Sequence, residues 1–171
     1  MKVSELMKGV TPNPEYKGEV QVDDMVLAVD LAEESTGKVA DYLVVGDHIT
    51  AIDGQLNPTT EDRTYIRKGT QTSKTGQQRS FSITGDRLEG DEFQDAALSH
   101  KIKYGRGNTV KKSYVYFNML TGKGEKGEFV VIVNSDGGSD ASTPAGIDIE
   151  LRGSGGVPED YTYSDDSGAG G

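Results

Sequence analysis

Hydrophobic positions fall in short runs separated by polar stretches rich in glycine, threonine and charge. Met25 to Leu31 (MVLAVDL) and Val39 to Val45 (VADYLVV) are rich in β-branched and aromatic residues and are bounded by Gly37 and Gly46, which predicts two strands. A third short strand is expected at His48 to Ile52. Ser80-Phe81-Ser82-Ile83-Thr84 alternates polar and apolar, as a half-buried strand does, and Gly85 is expected to end it. Ile147 to Arg152 alternates in the same way, with one face apolar and the other charged. Ser113 to Leu120 (SYVYFNML) and Glu128 to Val133 (EFVVIV) are instead continuously apolar for part of their length, the pattern of central strands covered on both faces. The glycine-rich TGKGEKG between them reads as a turn.

One helix is predicted. Asp86 stands at an N-cap position with Glu89 three residues on, and Phe93, Ala96, Ala97 and His100 follow at i, i+3, i+4 and i+7, so the helix spans Arg87 to Ser99. His100 then has a packing or C-terminal capping role. The segment from Gly54 to Gln78 is polar except for Leu56, Tyr65 and Ile66. Loops beyond about 12 to 15 residues are usually functional or disordered, and Arg63-Thr64-Tyr65-Ile66-Arg67 has enough β character to be half of an extended hairpin. The fold class expected is all-β with one flanking helix: a β-sandwich or small barrel with a long hairpin loop and extended N- and C-terminal arms. The divisions are an arm at 1–24, a β domain at 25–153 with its long loop at 54–78, and a polar tail at 154–171.

Composition narrows the chemistry. The 171 residues contain no cysteine or tryptophan and two histidines, which excludes disulfides, thiolate metal sites and a cysteine nucleophile. No phosphate-binding loop, nucleophile elbow or zinc-binding helix is present. The acidic pairs Asp23-Asp24, Glu33-Glu34 and Asp165-Asp166 carry no information in a chain with 28 acids. Asn134 to Asp140 resembles the front of a calcium loop, but Ala145 stands where the bidentate glutamate is required. No catalytic residue, metal ligand or cofactor is therefore assigned, and an enzyme is not expected. With no membrane-length apolar stretch and no signal-peptide pattern at the N-terminus, the expectation is a soluble protein that remains where it is made and has no membrane partner.

The net charge is −10, and it is divided: residues 1–60 carry −7, residues 61–126 carry +5 and residues 127–171 carry −8. The basic middle of one copy can face the acidic ends of another, or the two can pair within one fold. Lys101, Lys103, Arg106, Lys111 and Lys112 make the densest basic stretch, read as a solvated hairpin around Gly105 to Asn108, with phosphate binding as the other reading.

The order of features resembles siphophage major tail proteins of the phage lambda type, also called tail tube proteins. The likeness begins with QTSKTGQQRSFSITGDRLEGDEFQDAAL at Gln71 to Leu98: a polar Gly/Gln/Ser stretch, a short Ser-Phe strand, a turn, and a helix with an acidic start and an Ala-Leu end. It continues through a basic strand at Lys101 to Tyr104, a turn at Gly105 to Asn108, the alternation at Ile147 to Arg152 and Gly-Gly-Val-Pro at 155–158, covering about residues 39–158. The resemblance implies a β-sandwich subunit forming homo-hexameric rings that stack into a noncontractile tube. Its partners would be tape-measure, tail terminator and distal tail proteins, its place the virion after assembly in the bacterial host cytoplasm, and DNA would pass an acidic lumen without specific binding. By the same resemblance the long loop contacts a neighbouring subunit or ring, with Tyr65 and Ile66 as apolar anchors and Glu61, Asp62, Arg63, Arg67 and Lys68 as charged partners. The basic segment would pair with acidic neighbours. The competing readings are a carbohydrate-binding or adhesive β-sandwich presenting Tyr104, Tyr114, Tyr116, Tyr161 and Tyr163, and a tube subunit of a contractile tail or injection machine.

Overall fold

Each apolar run has one face or two to bury and a polar turn at either end, which is the pattern of an antiparallel sheet built by successive reversals. A computed structural model describes residues 1–33 and 36–164; Glu34 and the pair Asp165-Asp166 lie outside the described residues. In chain order the elements are α1 (Val3–Leu6), β1 (Met25–Val29), β2 (Leu43–Val44), β3 (Ile49–Gln55), β4 (Thr59–Tyr65), β5 (Gly69–Gly76), β6 (Ser80–Asp86), α2 (Glu92–Ala97), α3 (His100–Lys103), β7 (Lys111–Asn118), β8 (Lys123–Ser135), β9 (Gly146–Gly153) and β10 (Glu159–Thr162). The main sheet runs β2-β1-β7-β8-β9-β6-β3, with β10 added to β8, and every pair is antiparallel. The fold is all-β, and the sandwich or barrel of the sequence reading takes the form of one sheet curled into a half-barrel. β8 is the pivot: β7 holds one of its edges, while β10 pairs Lys123–Lys126 and β9 pairs Phe129–Ser135 along the other. A long strand that changes partner midway is a way to turn a corner in a sheet.

Both faces near β1 and β7 are covered. Leu27, Val29, Phe81, Ile83, Tyr114, Phe129, Ile149 and Leu151 form the main core with Phe93 and Ala97 of α2, while Val26, Ala28, Val115 and Phe117 face a second cluster. That is why β1 and β7 read as near-continuous apolar runs, whereas β9 alternates: Ile147, Ile149 and Leu151 are buried and the residues between them are not. All four phenylalanines are at most 1% exposed, each contributing roughly 2 to 3 kcal/mol by burial. The chain's modest apolar content is thus concentrated in the core.

Several local expectations need correction. The polar lead-in begins with a helical turn whose Val3 and Met7 are buried in the second cluster, and Lys2 bridges to Leu43. Val39–Asp41 is a 3-10 turn, so only Leu43–Val44 of that run is strand. Gly85 does not end β6, and Asp86 does not cap a helix; it is the last residue of β6, its N–H donating to His48 O at 2.8 Å. Gly90, at φ +95, makes the break, and Asp91 is the N-cap, accepting from the Gln94 N–H at 3.0 Å. The helix stops at Ala97 and restarts as α3, leaving His100 exposed with its ring 4.9 Å from that of Tyr104. Lys101 to Tyr104 is accordingly helix and its cap rather than strand, and Gly107–Val110 is a 3-10 turn rather than a hairpin reversal. The reversal between β7 and β8 takes only 119–122, so Gly124 and Gly127 lie within a strand. The polar tail contains β10, whose Tyr161 packs with Tyr163 on Phe117 at ring distances of 5.9 and 5.5 Å.

Candidate assembly surfaces

β3 and β6 continue beyond the sheet into a separate ribbon. At its base the Gln78 N–H donates to Leu56 O at 3.0 Å, and Asn57 Nδ2 donates to Gln78 O and Ser80 Oγ at 3.1 and 2.7 Å. Past this point β4 and β5 pair with each other from Thr59↔Gly76 to Tyr65↔Gly69 and with no other strand among the described residues. The reversal is closed by the Lys68 N–H to Tyr65 O at 3.3 Å, with Arg67 at φ 68, the left-handed conformation that the third residue of a type II turn requires. Every residue of both strands is exposed; Tyr65 is 48% and Ile66 at the tip 91% accessible. A two-stranded ribbon without a buried face is marginal in water, and Ile66 leaves roughly 2 kcal/mol of burial unused. Glu61 and Arg63 share a face and pair at 3.2 Å; Asp62, Arg67 and Lys68 have no ion pair among the described residues. The anchors and charges singled out in the sequence are therefore brought together at one projecting end.

The ribbon's root is fastened by Arg79, between β5 and β6. Its Nε lies 2.8 Å from Glu125 Oε1 as an ion contact rather than an aligned hydrogen bond, and its guanidinium lies 4.5 Å from the Phe81 ring centre and 5.3 Å from that of Tyr116. The Tyr114 hydroxyl donates to the same Glu125 at 3.0 Å. Burial first, then the negative charge of Glu125, holds the Tyr114 hydroxyl well above its ordinary value, so it stays a donor. Arg79→Ala removes a largely buried charge partner and its stacking, and is expected to lower stability by about 2 kcal/mol, between the values for exposed and buried pairs. Urea denaturation of the variant checks this.

The basic segment is partly engaged within the chain. Lys103 pairs with Asp136 at 2.9 Å and Lys111 with Glu128 at 3.8 Å, whereas Lys101, Arg106 and Lys112 have no ion pair among the described residues. The contact with Lys103 also draws Asp136, from the loop that resembled a calcium site, into a hydrogen bond that lowers its pKa.

A second surface was visible in the sequence only as the charged side of one alternation. Across β3, β6, β9 and β8 the register aligns Asp53–Ser82–Glu150–Ile132 and, one row on, Ala51–Thr84–Asp148–Ser135. These residues lie on the opposite face from Phe81, Ile83, Ile149 and Leu151, so this end of the sheet offers a polar, acidic wall. Glu150 accepts from Arg152 Nε at 2.6 Å, which holds its carboxyl below the ordinary range and keeps it ionised. The tyrosines, by contrast, do not form an open platform: Tyr104 is 71% exposed, but Tyr114 is 1% exposed and Tyr161 and Tyr163 pack on Phe117.

No helix among the described residues is long and apolar enough to cross a membrane, and these residues contain no cluster of three or more metal-ligating side chains. No protein-family model matches the sequence, and no curated protein does. Among the solved structures that share the fold are two of gene transfer agent particles. One is the tail of an empty gene transfer agent particle, determined by helical refinement with C6 symmetry, with 16% identity and a TM-score of 0.57. The other is the virion of a native gene transfer agent particle, with 13% identity and a TM-score of 0.55. In both cases the alignment covers 85% of this chain and 100% of the other.

Proposed function

We propose that the chain is a structural subunit of a noncontractile, bacteriophage-type tail tube, in which hexameric rings stack around a lumen that conducts DNA. The carrying observation is the likeness, over the whole length of the matched chain, to a tail of C6 symmetry. The exposed ribbon supports it, because seven cross-strand pairs held out in solvent acquire a buried face only against another molecule. In this reading Glu61, Asp62, Arg63, Tyr65, Ile66, Arg67 and Lys68 contact a neighbouring subunit or ring. Lys101, Arg106 and Lys112 face acidic surfaces of adjacent copies, while Lys103 and Lys111 brace the subunit itself.

The wall of Asp53, Asp148 and Glu150 faces the lumen. Duplex DNA carries one negative charge per roughly 1.7 Å of axis, so a carboxylate-lined channel repels it and lets it slide without adhering. The tube is part of the virion, assembled in the bacterial host cytoplasm, and its other partners are tape-measure, tail terminator and distal tail proteins.

Negative-stain microscopy of the purified protein at rising concentration tests the reading, with rings or hollow tubes as the expected result. Replacing residues 58–77 by an Asn-Gly turn is expected to abolish them while leaving the far-ultraviolet circular dichroism of the sheet intact. A wild-type chain that stays monomeric at every concentration, or a trimmed chain that still forms tubes, overturns it.

A further inference from the structure

The half-barrel is open between the two ends of its strand order, β2 and β3. A groove of about 540 Å³ lies there, lined by Leu6, Val22, Val44, Ile49, Ala51 and Ile52 and flanked by the exposed carboxylates Asp23 and Asp47. Val22 is 69% exposed at its rim, and the outer edge of β3 has no strand partner among the described residues. We propose that this groove receives the tip of the β4–β5 ribbon from a second copy of the chain.

The occupant is identified by complementarity. The groove is apolar with an acidic rim, and the ribbon tip is apolar at Tyr65 and Ile66 with Arg67 and Lys68 beside it, Arg63 being paired with Glu61 on the ribbon. Apolar insertion at the centre with opposite charges at the rim is the arrangement that both stabilises and orients an interface. The ribbon does not fill its own groove: Tyr65 and Ile66 stand in solvent, and no residue of β4, β5 or the turn between them lines it.

Tip and groove are different surfaces, so a copy that gives its tip to one neighbour and accepts the tip of another makes a heterologous contact, which builds the ring or filament of the assembly reading; two copies exchanging tips reciprocally would stop at a dimer. The inference deepens the assembly reading above and rests on it; that reading leaves the receiving surface open, and this one assigns it.

Because the chain contains no cysteine, an introduced pair reports on the contact without background. Ile66→Cys and Val22→Cys alter two exposed side chains, and the double variant, oxidised after assembly, is expected to give a ladder of covalent oligomers, each single variant giving at most a dimer. Arg67→Glu with Lys68→Glu is expected to raise the protein concentration needed for assembly by about tenfold or more, and Asp23→Lys with Asp47→Lys in the same chain is expected to restore it. Rings or tubes that form normally from the double-cysteine chain and yield no ladder overturn the groove assignment alone. A wild-type chain that never assembles removes the assembly reading together with it.

Discussion

Gln94→Leu is expected to lower the unfolding free energy by about 3 kcal/mol, although leucine fills nearly the same space. Gln94 is 0% exposed and ties α2 to the turn at 86–88 and to Asp47, which is remote in sequence. Its Oε1 accepts from the Leu88 N–H at 2.9 Å and, more weakly, from Arg87 at 3.4 Å, while its Nε2 donates to Asp47 O at 3.0 Å and Asp86 O at 3.1 Å. The substitution leaves one partly buried N–H and two partly buried carbonyls without this partner, at roughly 1 kcal/mol each. Urea denaturation should show a lower midpoint with an unchanged slope, because the surface exposed on unfolding is the same. Asp47 flanks the groove between β2 and β3, so the loosened turn should also weaken assembly at concentrations where the folded fraction is still high.

The parts of the fold legible in the sequence were those written in periodicity. β6 and β9 alternate because one face is buried and one solvated, and the long polar hairpin was visible because nothing apolar interrupts its threonines, glutamines and charges except the residues of its tip. The helix was misplaced because its period was right and its start was not: Asp86 and Asp91 both precede the apolar repeat with an acceptor side chain, and the choice between them is made by Gly90 in the left-handed region and by the pairing of Asp86 into β6. The termini were read as arms because their burial depends on partners distant in sequence. Val3 is buried in a cluster with Val26, Val39, Tyr42 and Phe117, and Tyr161 and Tyr163 pack on the same cluster. For the same reason the groove had no signature in the sequence; it is assembled from the first residues, the 3-10 turn before β1, and strands β2 and β3. The acidic wall was half legible, as the charged side of Ile147 to Arg152, but its extension to Asp53 required the register of β3 on β6.

The glycines of TGKGEKG read in the sequence as those of a turn, and Gly124 shows another use. Gly124→Ala is expected to destabilise the chain by about 3 kcal/mol, and Gly124→Val to prevent accumulation of folded protein. Gly124 stands opposite Phe117 in the β7–β8 pair, and a Cβ there would fall on the carbonyl oxygen of Tyr116 and the Cα and Cβ of Phe117. The first two are backbone atoms of a central strand, and relief requires β8 to move away from β7. Movement costs more than the added methyl can return by burial, as overpacking of a dense core generally does. It also withdraws the edge to which β10 pairs at Tyr161↔Gly124, and with it the Tyr161 and Tyr163 rings that cover Phe117. Gly127, three residues on in the same strand, supplies the contrast. A Cβ there meets the Tyr114 ring edge at 3.1 Å and Pro158 at 3.4 Å, contacts that a side-chain adjustment relieves, so Gly127→Ala is expected to cost at most about 1 kcal/mol. Thermal unfolding of the two alanine variants side by side should separate them by roughly 4 to 8 °C, at about 2 to 4 °C per kcal/mol for a domain of this size; equal melting temperatures would show that the β7–β8 pair has room that its register denies.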